Sequence, residues 1–372
     1  MNVLITGSNG FIGKNLKANI RAIRPEINIL CFDIDTSEEE LGIFCESADF
    51  VFHLAGINRP EKAESFYEGN TGLTQKLLTI LEDKGNSCPI LITSSSQALL
   101  DNDYGKSKKA AENEVFAYGE KHNSQVYVYR LPGVFGKWCR PNYNSVVATF
   151  CHKIAQGESI EINGRETEIK LVYIDDVIKE FLLAMDGLAN FDNENKFCEV
   201  PTVHEVSLGS IADSIESFRD SRKNLFIPDM LDPFQKKLYS TYLSYLPENQ
   251  FSYEVVTHKD PRGSFTELLK TPDRGQMAVN IIKPGITKGQ HWHNTKNEKF
   301  VVVSGKGAIC FRKIGTDEVI KYSVSDEEIE IIDVPVGYTH SIINTGETDM
   351  VAFIWCNEVF DPNNPDTFFE EV

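Results

Sequence analysis

Apolar positions follow two different rhythms along this chain. Through about residue 190, short apolar runs at 3–5, 29–32, 50–54, 89–92 and 126–129 alternate with amphipathic stretches. That alternation predicts parallel strands joined by crossover helices, a Rossmann-like doubly wound α/β sheet. From Phe251 onward the chain changes to short β-rich segments broken by Gly and Pro, such as 299–303 and 350–355. This second texture predicts an all-β sandwich or barrel. The helical pattern breaks between Tyr245 and Gln250, so the expected domains are 1–245 and 251–372.

A length of 372 residues suits two cores, since domains usually run to about 100–200 residues. The hydrophobic share of 41% and charged share of 25% are those of a globular protein, and no apolar run is long enough to span a bilayer. A net charge of −18 disfavours nucleic acid and anionic membranes as partners, because both would repel the chain as a whole. Residues 1–6 enter a strand pattern directly, with no signal-like segment, which makes the cytoplasm the expected location. The eight cysteines form no CxxC pair and mostly sit in apolar runs, so free buried thiols are expected; Cys139, in a basic loop, stands apart.

Gly7, Gly10 and Gly13 follow the first strand pattern and precede a helical one. Missing side chains there let the backbone approach a pyrophosphate at a helix N-terminus, although a structural Gly-rich turn reads the same way. Asp33, at the end of the second strand pattern, is placed to bind an adenosine ribose. Tyr104 and Lys108, four apart, share a helix face, so the ammonium can lower the phenol's pKa and ready it to protonate a carbonyl. One of Ser94, Ser95 and Ser96 would hydrogen-bond the same oxygen.

These residues, with the segments 49–56, 130–136 and 172–177, resemble the extended short-chain dehydrogenase/reductase family over residues 1–243. The resemblance implies Tyr104 as acid, Lys108 as its tuner and Ser95 as carbonyl donor, on a nucleotide-linked sugar. It implies a dinucleotide site at Gly7, Asn9, Gly10, Phe11, Ile12, Gly13, Asp33, Leu54, Ala55 and Gly56. Arg59, Lys137, Arg140 and Asn142 are candidates for the substrate's diphosphate and uracil, with a solvated basic loop as the alternative. Asp33 favours NADH by repelling a 2′-phosphate, while Lys14 or Arg59 could offset it and admit NADPH.

In the second half, His291, His293, Glu298 and His340 supply three imidazoles and a carboxylate suited to Zn²⁺ or another divalent transition metal. Their spacing relative to Gly285, Gly305, Pro335, Gly337 and Asn344 resembles both cupin motifs, which implies a jelly roll; Ile329 replaces the glycine that often opens the second. Asp260, Arg262, Gly263 and Glu267, with Lys288 and His291, resemble the cupin-type 4-keto-sugar 3,5-epimerases, and Lys288 stands where those enzymes have Arg. Arg262 and Lys288 are therefore substrate-binding candidates. A metal-bound His291 cannot accept a substrate proton, so the base is sought among Lys299, Tyr338 and Lys288.

The ordered combination of both halves is similar to the bacterial capsular polysaccharide synthesis protein F family. That resemblance implies a zinc-binding, NADPH-using homodimer. Such an enzyme would epimerise C3 of UDP-2-acetamido-2,6-dideoxy-β-L-arabino-hexos-4-ulose and reduce C4, giving UDP-N-acetyl-L-6-deoxytalosamine. The rival reading is a reductase alone, with a structural, dimerising cupin. The helical stretches 71–78 and 110–116 could form a dimer face or an internal core face.

Overall fold

The structure, a computed structural model, describes residues 1–60, 62–194 and 196–372. It contains two compact units, Met1–Glu216 with Leu231–Pro247, and Ser217–Met230 with Glu248–Val372. The short excursion at 217–230 is what the linear division at 245–251 did not anticipate. Within the second unit, Lys270 donates its N–H to the Leu225 carbonyl at 2.8 Å and accepts from the Ile227 N–H at 2.8 Å.

The first unit centres on a parallel sheet of β1 (Asn2–Thr6), β2 (Asn28–Phe32), β3 (Phe50–His53), β4 (Ile90–Ser95) and β5 (Val126–Leu131), in the order β2-β1-β3-β4-β5. Val3 and Ile5 face one core, built with the helices Phe11–Ile23 and Ile174–Met185, while Leu4 faces the other. Burial on both faces explains why these strands read as unbroken apolar runs. The helical stretches at 71–78 and 110–116 put Leu77, Leu78, Ala111 and Val115 into the second core, so their apolar stripes are core faces. A smaller sheet of β6 (Gly133–Phe135), β7 (Glu168–Tyr173) and β8 (His204–Ser207) follows. The strand order reverses between β1 and β3, which opens a crevice at their carboxyl ends.

The second unit is a sandwich of two antiparallel sheets, the jelly-roll class the cupin resemblance implies. Its strands are β9 (Thr257–Asp260), β10 (Gly263–Thr271), β11 (Gly275–Ile282), β12 (Thr287–Trp292), β13 (Glu298–Ser304) and β14 (Lys306–Lys313). They continue as β15 (Val319–Ser325), β16 (Ile331–Val334), β17 (Tyr338–Asn344), β18 (Met350–Cys356) and β19 (Phe368–Phe369). One sheet runs β16-β13-β18-β11-β10-β9, the other β15-β14-β17-β12-β19. Phe300, Val302, Ile309, Phe311, Ile342 and Met350 fill the space between them. The eight cysteines are free thiols. No helix among the described residues is long and apolar enough to cross a membrane.

Candidate active site

The crevice of the first unit encloses about 1730 Å³. Gly7 leaves β1 at φ +66°, and a Cβ on Gly13 would stand 2.4 Å from the Gly7 carbonyl oxygen, so both positions require glycine. The helix Phe11–Ile23 then begins with no side-chain cap and no acidic residue in its first turn, leaving its N–H groups to an anion. Gly7, Asn9, Gly10, Phe11, Ile12, Gly13, Leu54 and Gly56 line the crevice, as do Lys14 and Arg59. Asp33 and Ala55 are not part of that lining but bond to residues at the end of β1 and the turn after it. The Asp33 carboxylate accepts from the Asn9 N–H at 2.6 Å, and the Ala55 N–H donates to the Thr6 hydroxyl at 3.2 Å.

The helix Asp103–His122 is capped by the Asn102 side chain, which accepts from the Gly105 N–H at 2.7 Å. This start aims Tyr104 and Lys108 into the crevice. Geometry separates the three serines: Ser94 donates to buried Glu112, Ser96 is exposed, and Ser95 hydrogen-bonds with Tyr104. Tyr104 also donates to the Asn58 side-chain oxygen at 3.1 Å, a partner that no sequence signal marked. Burial pushes the Tyr104 phenol up, with the Ser95 hydrogen bond opposing, so the depression expected from Lys108 is not what the packing produces. Lys108 is itself buried and donates to the Thr93 carbonyl at 3.1 Å. Burial pushes its ammonium down to about 8, against the opposing pull of Glu112.

Arg140 and Asn142 line the same crevice, together with Trp138 and Tyr143. Lys137 is not part of that lining; its ammonium is paired with Asp175 at 2.6 Å. Cys139 does line the crevice, and burial pushes its thiol up to about 11, which disfavours the thiolate.

In the second unit, His291, His293, Glu298 and His340 converge, with one ligand atom from each within 4.8 Å of the others. His291 on β12 stands opposite His340 on β17 across a bulge between Gly289 and His291. Glu298 comes from β13 of the other sheet, and His293 lies just past the end of β12. Nε2 of His293 and both ring nitrogens of His340 are buried without hydrogen-bond partners among the described residues. Glu298 Oε2 lies 3.3 Å from His340 Nε2 and 3.8 Å from His293 Nε2, contacts of ion-pair range rather than hydrogen bonds. Burial would raise the Glu298 carboxyl, but the two imidazoles outweigh it and hold it below the usual carboxylate range. Burial, with His340 beside it, pushes His291 down to about 4. Three imidazoles, two of them with buried ring nitrogens that lack partners, gathered around a carboxylate form a donor set that fits a divalent metal.

The cluster opens into a pocket of about 480 Å³, also lined by His258, Glu267, Lys288, Lys296 and Cys356. Lys288 donates to the Asn280 side chain at 2.7 Å and the Ile281 carbonyl at 3.1 Å. Arg262 is outside the lining and is held instead by Asp260, at 2.7 and 3.0 Å. Neither Lys299, paired with Asp333, nor Tyr338, packed on the sandwich core, lines the pocket.

Comparison with known proteins agrees with this division. Residues 3–197 match the NAD dependent epimerase/dehydratase family and residues 258–368 the polysaccharide biosynthesis C-terminal domain. A UDP-2-acetamido-2,6-beta-L-arabino-hexul-4-ose reductase from Pseudomonas aeruginosa is 47% identical, over 99% of this chain and 98% of that protein. The capsular polysaccharide assembling protein CapF from Staphylococcus aureus is 51% identical with a TM-score of 0.95, each chain covered in full. A CapF structure with the inhibitor 3-isopropenyl-tropolone is 47% identical, with a TM-score of 0.90 and both chains again fully covered. A UDP-N-acetylglucosamine 4-epimerase from Methanobrevibacter ruminantium, 19% identical with a TM-score of 0.55 over 66% of this chain and 97% of its own, shares the fold. A crevice built on Gly7–Gly13 and Tyr104–Lys108, followed by a histidine-lined sandwich and matched end to end by the Pseudomonas reductase and the CapF structures, makes this chain a member of the CapF family.

Proposed function

We propose that the chain converts a UDP-linked 4-keto-6-deoxy-N-acetylhexosamine in two steps, C3 epimerisation in the second unit and C4 reduction in the first. The substrate is UDP-2-acetamido-2,6-dideoxy-β-L-arabino-hexos-4-ulose and the product UDP-N-acetyl-L-6-deoxytalosamine. The observation that carries the two-step reading is the His291, His293, Glu298 and His340 cluster opening into a pocket that holds a further carboxylate, Glu267. A reductase alone has no need of such a pocket. The reductase name of the Pseudomonas relative supports the second step. The tropolone bound by a CapF carries adjacent oxygens of the kind that chelate metals, which supports a metal in the first.

In the second unit, His291, His293, Glu298 and His340 would hold a divalent ion, Zn²⁺ in this proposal, which would supply Lewis-acid polarisation at the C4 ketone. Lys288 and Lys296 already use their ammonium groups as donors, and His258 is exposed. Glu267, paired with Lys270 at 2.8 Å, is the carboxylate that accepts the C3 proton. A solvent-derived proton is delivered to C3 on the opposite face, and Glu267 releases the one it took to solvent, completing the epimerisation.

In the first unit, NADPH, or NADH in its place, supplies the hydride for C4. Ser95 hydrogen-bonds the C4 oxygen, Tyr104 donates its phenolic proton to it, and Lys108 holds the adjacent ribose and supports the departing charge. Arg59, Arg140 and Asn142 hold the UDP portion. Lys14 and Arg59 in the lining balance Asp33, which is why both cofactors are expected to serve. Absence of turnover with saturating NADH would remove the dual use.

Proton NMR of the ketone with the protein in D₂O, first without and then with NADPH, tests the whole scheme. Deuterium should enter C3 before any reduction. Reduction at C4 with C3 still protonated would leave a monofunctional reductase whose cupin is structural.

A further inference from the structure

Three of the four clustered ligands are carried on strands, His291 on β12, Glu298 on β13 and His340 on β17, so ladder pairing sets their directions. His293 lies beyond the end of β12, at the start of the 293–297 turn, where no ladder holds it. Its orientation comes from Asp366, more than seventy positions away. The Asp366 carbonyl oxygen is 2.6 Å from His293 Nδ1. A carbonyl only accepts, so Nδ1 carries the proton and the lone pair is left on Nε2, the atom that faces the cluster. The Asp366 carboxylate meanwhile accepts from three successive N–H groups of the same turn, Asn294 at 3.0 Å, Thr295 at 2.8 Å and Lys296 at 2.9 Å.

The segment around Asp366 is fastened on both sides. Lys296 Nζ donates to the Pro365 carbonyl at 3.3 Å, β19 pairs with His291 and Trp292 of β12, and Phe368 stacks on Trp292 with ring centroids 4.8 Å apart. Asp366 itself adopts φ 40°, a left-handed conformation that Asp and Asn tolerate better than most residues. One residue thus fixes both the ring's tautomer and the backbone that carries the ring.

We infer that Asp366 is a positioning residue for the metal centre, locking His293 in the metal-binding tautomer through its carbonyl and bracing the 294–296 turn through its carboxylate. The inference rests on reading the cluster as a metal site. It does not require Asp366 to touch metal or substrate.

The test uses the full-length protein and Zn²⁺ alone. Affinity is measured for wild type, Asp366→Ala and Asp366→Asn by competition with a chromophoric chelator, and melting is followed with and without Zn²⁺. Loss of a residue that orients a ligand typically costs ~10–100-fold in metal affinity, and that is the fall expected for Asp366→Ala. The zinc-induced rise in Tm should shrink with it, while the metal-free Tm changes little. Both variants keep the backbone carbonyl that faces His293 and differ in the brace alone: Asp366→Asn, which retains one side-chain acceptor oxygen for the 294–296 N–H groups, should lie between. A merely structural brace would lower both Tm values together and leave affinity unchanged, and that result overturns the inference. Should Asp366→Ala fail to fold, wild-type affinity in Asp366→Asn overturns it as well. A wild-type protein that binds no Zn²⁺ would instead sink the metal-site reading itself.

Discussion

The two units build their sites by opposite means. In the first, much of the crevice is backbone and loop: glycines at the end of β1, an uncapped helix start and the 138–145 segment, with Tyr104, Lys108 and Ser95 as the few side chains placed for chemistry. In the second, three of the four clustered side chains stand on strands from two facing sheets, and the pocket is less than a third as large, about 480 against about 1730 Å³. A wide crevice edged by loops suits a long dinucleotide and a nucleotide-sugar held side by side. A small pocket walled by strands suits a fixed metal and a single sugar ring, because ladder pairing holds ligands more tightly than loops do.

The sharpest way to break this comparison is to disable one unit and assay the other. His340→Ala should abolish Zn²⁺ binding and slow C3 exchange by ~10³-fold, since Lewis-acid charge stabilisation is worth several kcal/mol. Reduction of a ketone supplied already epimerised should continue, followed as NADPH oxidation at 340 nm; if it stopped too, the two sites would not be independent.

Tyr104→Phe is the reciprocal experiment. Loss of a positioned acid should cost ~10²–10⁴-fold in reduction, with deuterium still entering C3 at the wild-type rate. A smaller effect is expected for Glu267→Gln, a ~10²-fold fall in C3 exchange with Zn²⁺ content intact by atomic absorption. Exchange at the wild-type rate would return the base to another group.

Smallest is an effect on stability rather than rate. The ammonium of Lys108 is pushed down to about 8 from its ordinary 10.5, a burial cost on the order of 3 kcal/mol. Between those two values the unfolded chain holds a proton that the folded chain has released, so the contribution to stability rises with pH across about 8 to 10.5 and is at its least favourable below that window. Lys108→Met should therefore raise Tm at neutral pH while abolishing reduction, and its advantage should fade in melts taken toward pH 10. An unchanged or lowered Tm would show that its hydrogen bond to the Thr93 carbonyl outweighs the burial.

How much of each site was legible follows from the same contrast. Gly7, Gly10 and Gly13 could be read because a turn, a backbone approach and a helix packing fall within seven consecutive residues. The convergence of His291, His293, Glu298 and His340 could be read because strand spacing and turn residues constrain their intervals. The serine register could not, since only the Ser94 hydrogen bond to Glu112, eighteen positions on, turns that side chain away from Tyr104. Lys137 and Arg140 look alike in a basic loop, and what separates them is Asp175, thirty-eight positions downstream. Asp366 sits in a polar stretch without periodicity, and its part depends on a backbone carbonyl, which every residue possesses. The expected boundary near Tyr245–Gln250 reflected a break in helical pattern, whereas the 217–230 excursion is defined by pairing with Lys270.

That excursion bears on modularity. The chain passes from one unit to the other at 216/217, returns at 230/231 and passes again at 247/248. A single protease nick or recombination junction in the last crossing would leave residues 217–230 with the wrong fragment and remove the strand-like bridge beside Lys270, on β10 beyond the reach of β9. One cut at the last crossing does not separate the two units, and because the helix Leu208–Asn224 runs straight through the first crossing, residues 217–230 cannot be moved with the second unit without severing that helix.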